Sequence, residues 1–556
     1  MYWNGENGTL SDCNFINNTA TSSVGGAVYW LGAKGVIKNS TFTDNTATAG
    51  GAICCSGVNC IFSGCIFISN IARDSNGGGI DWGSINGTII NSIFINNTAK
   101  TLSGAVHSWA INGTIINSIF INNTANRGGA IYWNRINGVL HSCNFIGNVA
   151  NTNGGAVYWA TANGTITSCT FIDNNANNGG AVYWAGANST MSSCNFTDNY
   201  AEHYGDNVYW YWTVEDFLNK YEQINDYDYV YIRNGVGTPL HTIVLNKKGI
   251  TISGQSTNVI FDAKGGNVHF EVTGDNILIE NLSFRNFNFT GNGGAIQWNG
   301  NNGILKNCNF INNIAKNGGG GVAWFGTNGT LTDSTFNNNI AYQGAGVFWN
   351  TNATEGKLSN SIFNNNAARG SGGAVNWMGA NGTLTDSTFN NNQAETYGGG
   401  IFWWGANGTL TGSTFSNNNA TDGGGLWWSG DNSKLIDSIF TNNIANSRGG
   451  AFAWASAGII SDITFDGNFA KGWAGGSIFF FGKGVINNCS FINGKWINSY
   501  TQSNGIYAID DLTINGGKGI VELFVNGTLS GTSIVVLNNE TYYYPPNTNI
   551  NLPNKK

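Results

Sequence analysis

The sequence predicts an all-β protein, a parallel β-helix. Three observations carry that reading. A marker phenylalanine recurs every 25 to 27 residues through two long runs, from Phe15 to Phe196 and from Phe284 to Phe491. Such a period is the signature of a solenoid. Each copy carries the same inward pattern, seen in the stretch NGTIINSIFINNTANRGGAIYW at 112–133. Finally, Asn, Thr, Ser and Gly fill the places between apolar residues, and all are poor in helix interiors.

The copy decodes by parity, because side chains alternate between faces along a strand. An apolar residue stands five before the phenylalanine (Ile89, Ile115, Leu331) and Ser or Cys two before it (Ser92, Ser118, Cys143). Asn follows three later (Asn97, Asn123, Asn339) and Ala five later (Ala99, Ala125). Then comes Gly-Gly-Ala-Val/Ile-x-Trp. The apolar and Ser positions differ in parity, so the chain bends between them, at turn formers such as Asn91, Asn117 and Asp333. A second bend is expected at the paired asparagines and a third at Gly-Gly, giving three strands and a triangular coil. Seventeen coils spaced ~4.8 Å apart predict a rod of about 80 Å.

In chain order, 1–211 carries eight copies and forms a first β-helix block. The texture then changes. Val214, Phe217, Leu218 and Tyr221 follow helical spacing, with Thr213 placed to cap and Glu215-Asp216 in the first turn, so a short helix is expected over Val214–Gln223. Irregular strands follow at Tyr229–Ile232, 242–245, 250–252, 259–261, 268–272 and 277–279. The stretch 212–283 thus reads as a helix plus irregular capping coils. A second block of nine copies occupies 284–503. The tail, 504–556, reads as strands of a partial Ig-like or β-sandwich module with a hairpin turn at Asn538-Asn539.

Composition narrows the function classes. Charged residues are 10 % of the 556, net charge is −7, and basic runs are absent, so nucleic acid is not an expected partner. No apolar run approaches the ~18 residues of a membrane span. Met1 falls in the Val/Ile slot of a repeat with no leader before it, which predicts a fragment of a longer protein.

Of ten cysteines, seven take the small inward slot and read as buried fillers, with Cys143, Cys169 and Cys194 stacked on neighbouring coils. Cys54, Cys55, Cys60 and Cys65 are denser, but lack zinc-ligand spacing. Asp173 with Asp198, and Asp437 with Asp462, occupy equivalent slots on adjacent coils; they read as bends rather than calcium ligands. No metal and no cofactor is expected.

The doubled motif Phe-x-x-Asn and Gly-Gly-Ala-Ile/Val resembles the repeats of the chlamydial polymorphic outer membrane proteins. The Asn/Thr-rich context, the block Ile250–Ser253 … Val259–Ala263 and the run Ser533–Asn539 resemble adhesin-like surface proteins of methanogenic archaea. The resemblance implies a right-handed parallel β-helix that serves as an extracellular, surface-displayed structural or adhesive rod, with cell-surface glycans or surface proteins of neighbouring or host cells as partners.

The rival class is a carbohydrate-active enzyme, since pectinases and polysaccharide lyases share the β-helix. Such chemistry needs convergent carboxylates or a carboxylate-held ion with a Lys or Arg base. Asp226, Asp228, Arg233, Lys247 and Lys248 cluster in the break, yet read as a solvated face. None of the five histidines stands in a Gly-His-Gly setting, and no catalytic residue is expected. The Trp of each copy (Trp30, Trp82, Trp133, Trp298, Trp324) is expected inside. Its outward neighbours Tyr132, Tyr158, Tyr183 and Tyr209 form the candidate binding face. Asn-Gly-Thr recurs before the opening strand, which makes Asn112, Asn163, Asn328, Asn381 and Asn407 glycosylation candidates.

Overall fold

The computed structural model describes residues 1–472, 475–492, 495–496, 506–508, 510–516, 523–525, 529–530, 533–537 and 540–544. The repeats form a parallel β-solenoid with about 26 residues per turn. One coil illustrates the rule. Its strands are Thr114–Ile116, Ile119–Ile121, Thr124–Arg127 and Ile131–Trp133. They are joined at backbone positions in the left-handed region: Asn112 (φ 55°), Asn117 (φ 50°), Asn122 (φ 51°) and Gly128 (φ 61°). The bend sites read from the sequence are therefore present, but a coil has four strands and four bends, not three. Thr124–Arg127 makes a short strand of its own between the asparagine bend and the glycine bend. Asn and Gly are the residues that enter this backbone region most readily.

The chain divides into two compact units, residues 1–233 with 247–253, and residues 234–246 with 254–556. The division falls inside 212–283, the stretch where the repeat breaks. In the first unit the Phe strands form an eight-stranded parallel sheet, and in the second an eleven-stranded one. Register is one-to-one: Phe94 pairs Phe120, which pairs Phe145. This register stacks identical side chains. Phe94 and Phe120 lie 4.9 Å apart at 4°, and in the second unit Trp298 and Trp324 lie 4.5 Å apart at 5°. Trp30, Trp82, Trp133, Trp298 and Trp324 are all buried, as parity requires.

The inward Asn and Ser satisfy one another, whereas the Nε1 of stacked indoles such as Trp133, Trp159 and Trp324 has no hydrogen-bond partner among the described residues. Asn123 Nδ2 donates to Asn148 Oδ1 (3.0 Å) and to the carbonyl of Phe94 (3.1 Å), and its own amide N–H donates to Asn148 Oδ1. Repetition of this pattern makes an asparagine ladder along each unit. Serine does likewise: Ser118 Oγ accepts from Ser92 N and donates to Ile116 O. A fully paired internal ladder fixes register while removing the cost of burying amides.

In the first unit the break opens with helix α1, Val214–Lys220, continued by a 3₁₀ turn at Tyr221–Gln223. Thr213 caps it reciprocally with Asp216. The second unit adds a strand not read from the sequence, Gly235–Gly237. No helix among the described residues is long and apolar enough to cross a membrane.

Parallel rungs run past 503, where the repeat was expected to stop. Ile506–Ala508 pairs with Ile478–Phe480, and Leu512–Asn515 with Gly484–Asn487. These rungs lack Gly-Gly-Ala, so their sequence gives no repeat signal. Ser533–Leu537 and Glu540–Tyr544 form an antiparallel pair. The expected turn at Asn538-Asn539 lies outside the described residues.

Candidate functional site: an outward aromatic column and the place where it is interrupted

The residue before each inward Trp points away from the core. In the first unit these residues form a column running through Cys54, Asp81, His107, Tyr132, Tyr158, Tyr183 and Tyr209. The four candidate tyrosines are thus brought together, but not as an open platform. Their rings stack at 4.7, 5.0 and 4.5 Å, tilted by at most 9°. Each ring covers the face of the next, and Tyr132 is only 8 % exposed. What meets solvent is ring edges and hydroxyls. Burial pushes the Tyr158 phenol up to about 12, assisted by Tyr132 and Tyr183, and raises Tyr132, Tyr183 and Tyr209 as well. The column therefore offers neutral hydroxyls.

N-terminal to Tyr132 the column is interrupted by a polar cluster that the sequence reading passed over. His107 is fully buried. Its Nδ1 lies 2.9 Å from Asp81 Oδ1 and also 2.9 Å from Trp109 Nε1. Nδ1 accepts from the indole when the proton sits on Nε2 and donates to the carboxylate when the proton sits on Nδ1, so one nitrogen serves two partners in different tautomers. Nε2 has no hydrogen-bond partner among the described residues.

The cause is a one-residue slip in the repeat. Residues 104–109 read Gly-Ala-Val-His-Ser-Trp, so Ser108 takes the inward slot opposite Trp82 and Trp133. Trp109 falls one place later, outside, and is 39 % exposed. Trp82 and Trp133 lean into the vacated space until their rings meet at 6.0 Å and 81°. The misaligned tryptophan is the signal by which this site was findable.

Two arginines flank the face. The Arg135 guanidinium lies 4.8 Å from the Trp109 ring, and that of Arg127 lies 6.0 Å from the Tyr158 ring, where its charge works against the rise that burial gives the Tyr132 phenol. Both are exposed, and neither makes an ion pair among the described residues.

The second unit has its own outward cluster, also unforeseen. Phe402, Trp427 and Phe479 are buried under Tyr397 (4.5 Å from Trp427) and Arg448 (5.4 Å from Phe479). Here the arginine is paired, Nη2 to Asp422 Oδ2 at 2.9 Å. Trp404 beside it is 56 % exposed.

In the break Asp226, Arg233 and Lys248 are exposed, as a solvated face requires, and Asp228 is the exception. Asp228 is buried and accepts from Val208 N, Trp210 Nε1 and Asn225 N. Asp226 accepts from the Lys248 amide, Lys248 lies over Tyr227 and Arg233 over Tyr211. Asp173, Asp198, Asp437 and Asp462 hold bends at positive φ. All ten cysteines are free thiols, including the dense group at 54–65.

The sequon asparagines stand at a bend. Asn112, Asn163, Asn328, Asn381 and Asn407 all have φ between 51° and 60°, and all but half-buried Asn328 are exposed. Their side chains form an outer ladder: Asn112 Nδ2 donates to Asn86 Oδ1, Asn407 Nδ2 to Asn381 Oδ1, both at 3.0 Å.

Residues 39–56, 117–132 and 386–402 match the Chlamydia polymorphic membrane protein repeat. No curated protein matches the chain. Solved structures with a similar fold include a PL6 alginate lyase in complex with a trisaccharide, 15 % identical, covering 60 % of this chain and 89 % of its own at a TM-score of 0.36. The alginate lyase AlyF-OU02 with G6 is 15 % identical over 60 % and 88 %, at 0.35. ORF18 of Geobacillus virus E2 is 11 % identical over 60 % and 63 %, at 0.31.

Proposed function

We propose that this chain is a surface-displayed, non-catalytic solenoid with a structural and adhesive role. The carrying observation is where the polar chemistry goes. Inside, Asn and Ser bond one another coil after coil. In the break, where an active site would be sought, Asp228 is held by three N–H donors and Arg233 lies over Tyr211. Diversity is left to the outward positions, as befits a scaffold that presents a lateral surface. The matched repeats, which belong to surface-exposed outer membrane proteins, support an extracellular location. Its partners on this reading are glycans or proteins on another cell, and the exposed sequon asparagines are its sugar acceptors.

Protease treatment of intact native cells tests the reading. The expected result is loss of the protein from unpermeabilised cells while a cytosolic marker survives. Full protection until the cells are permeabilised would overturn the surface assignment.

A further inference from the structure

The slipped coil supplies features that the regular coils lack. Trp109 is an outward indole that does not belong to the tyrosine stack. On the coil before it the equivalent position is Gly83, which has no side chain; Ser56, Gly83 and Trp109 follow one another through the hydrogen bonds Ser56 N to Trp30 O, Gly83 N to Cys55 O and Trp109 N to Trp82 O. On its other side stands Arg135, whose guanidinium makes one bond of 3.4 Å, to Asn134 O. The indole is held in place through Nε1, bonded to His107. A fixed aromatic surface packs against the C–H face of a sugar ring, and a guanidinium with unused N–H groups takes a carboxylate in bidentate fashion. In a chain of net charge −7, Arg135 is exposed and makes no ion pair among the described residues, so its charge is available to an anion. Arg448, by contrast, already has Asp422.

We propose that Trp109 and Arg135 form a binding subsite for a carboxylated saccharide, with one sugar ring on the Gly83 side of the indole and the next residue's carboxylate at Arg135. This rests on the adhesive reading and names the ligand class of the same face. The tyrosine hydroxyls beyond it extend the polar track, and Arg127 adds a second cation on that track.

Titration of the purified full chain with an oligogalacturonate, its methyl ester and a neutral maltooligosaccharide, followed by calorimetry, is the test. The acid form binds, and both uncharged forms bind at least about tenfold more weakly. Binding of the acid weakens with added salt. Arg135→Gln and Trp109→Ala each lower affinity about tenfold, Arg135→Lys lowers it less, and Trp404→Ala on the other unit leaves it unchanged. Arg135 is exposed, so its variants fold whatever happens to Trp109→Ala. Absence of oligogalacturonate binding, equal binding of the ester, or an Arg135→Gln protein that binds like the parent would each overturn the subsite. None of these results bears on protease accessibility at the cell surface, so failure of the subsite and failure of surface display are separately visible.

Discussion

Gly138 lies against the indole of Trp133: a Cβ built on it would stand 2.2 Å from Cε2. The same closeness recurs at Gly164 beneath Trp159 and at Gly329 beneath Trp324. It explains why Asn-Gly recurs before the opening strand. Asn turns the backbone at positive φ, and Gly is the residue the indole leaves room for. Gly164→Ala is therefore expected to lower stability by roughly 1–3 kcal/mol through overpacking. Chemical denaturation measures it, and an unchanged midpoint would refute the contact.

Phe120 sits between Phe94 and Phe145 at 4.9 and 4.8 Å and is fully buried. Phe120→Ala should cost about 3–5 kcal/mol, as a large-to-small change in a packed core. Because each coil touches only its neighbours, the loss is expected first in hydrogen exchange of the flanking coils. A variant melting with the parent would contradict the inward assignment.

Asn123→Ala removes the acceptor of Asn97 N and Asn97 Nδ2 and the donor to Phe94 O. Leaving a buried polar group unpaired costs about 1–3 kcal/mol, so the substitution should rival the loss of a core phenylalanine despite its small change in volume. The same denaturation series compares the two.

Asp228 gives the first unit a pH dependence. Burial pushes its carboxyl up to about 7, against the N–H donors of Asn225, Trp210 and Val208 that pull it down. A folded pKa above the unfolded ~3.9 means the folded state binds the extra proton between the two values. Stability should then fall as pH rises from about 4 to 7, by roughly 4 kcal/mol at most, and be level above that. Asp228→Asn should flatten the slope in this window. A parent whose midpoint rises across it would contradict the raised carboxyl.

Sequon occupancy should be limited by the ladder. Asn381 and Asn407 are bonded side chain to side chain at 3.0 Å, so two glycans cannot share that edge at full density. Peptide mapping of protein from the native cell surface should find sugar on one of the pair in any molecule. Doubly occupied peptides would contradict the crowding argument, and wholly unmodified Asn112, Asn163 and Asn381 would remove the glycosylated edge.

Much of this fold was legible because its coils repeat the same physics. The inward places of Phe120, Asn123 and Trp133 follow from parity alone, and helix α1 from its cap and spacing. The fourth bend was miscounted because the strand at this place, Thr98–Ala99 on one coil and Thr124–Arg127 on the next, is too short to show alternation. The tyrosine column was legible as a location but not as a surface, since ring stacking depends on a coil spacing and rotamers that no single copy encodes. The Asp81–His107–Trp109 cluster escaped because each residue is ordinary by itself. Only the vertical register, which sets Ser108 opposite Trp82 and Trp133, reveals that Trp109 is out of place.

Incubation with polygalacturonate or alginate should release neither unsaturated nor reducing ends, and chelation of divalent ions should leave the circular dichroism spectrum unchanged. Product release abolished by Asp226→Asn or Lys247→Gln would instead place catalysis in the break.

The adhesive role is tested most directly in the native cells. Cells lacking the protein, cells restored with it, and cells restored with the Trp109→Ala, Arg135→Gln double variant are compared for attachment to partner cells under flow. Loss of attachment on removal and recovery with the parent chain is the expected result. Attachment unchanged by removal, in cells where the parent is demonstrably at the surface, would contradict the adhesive account.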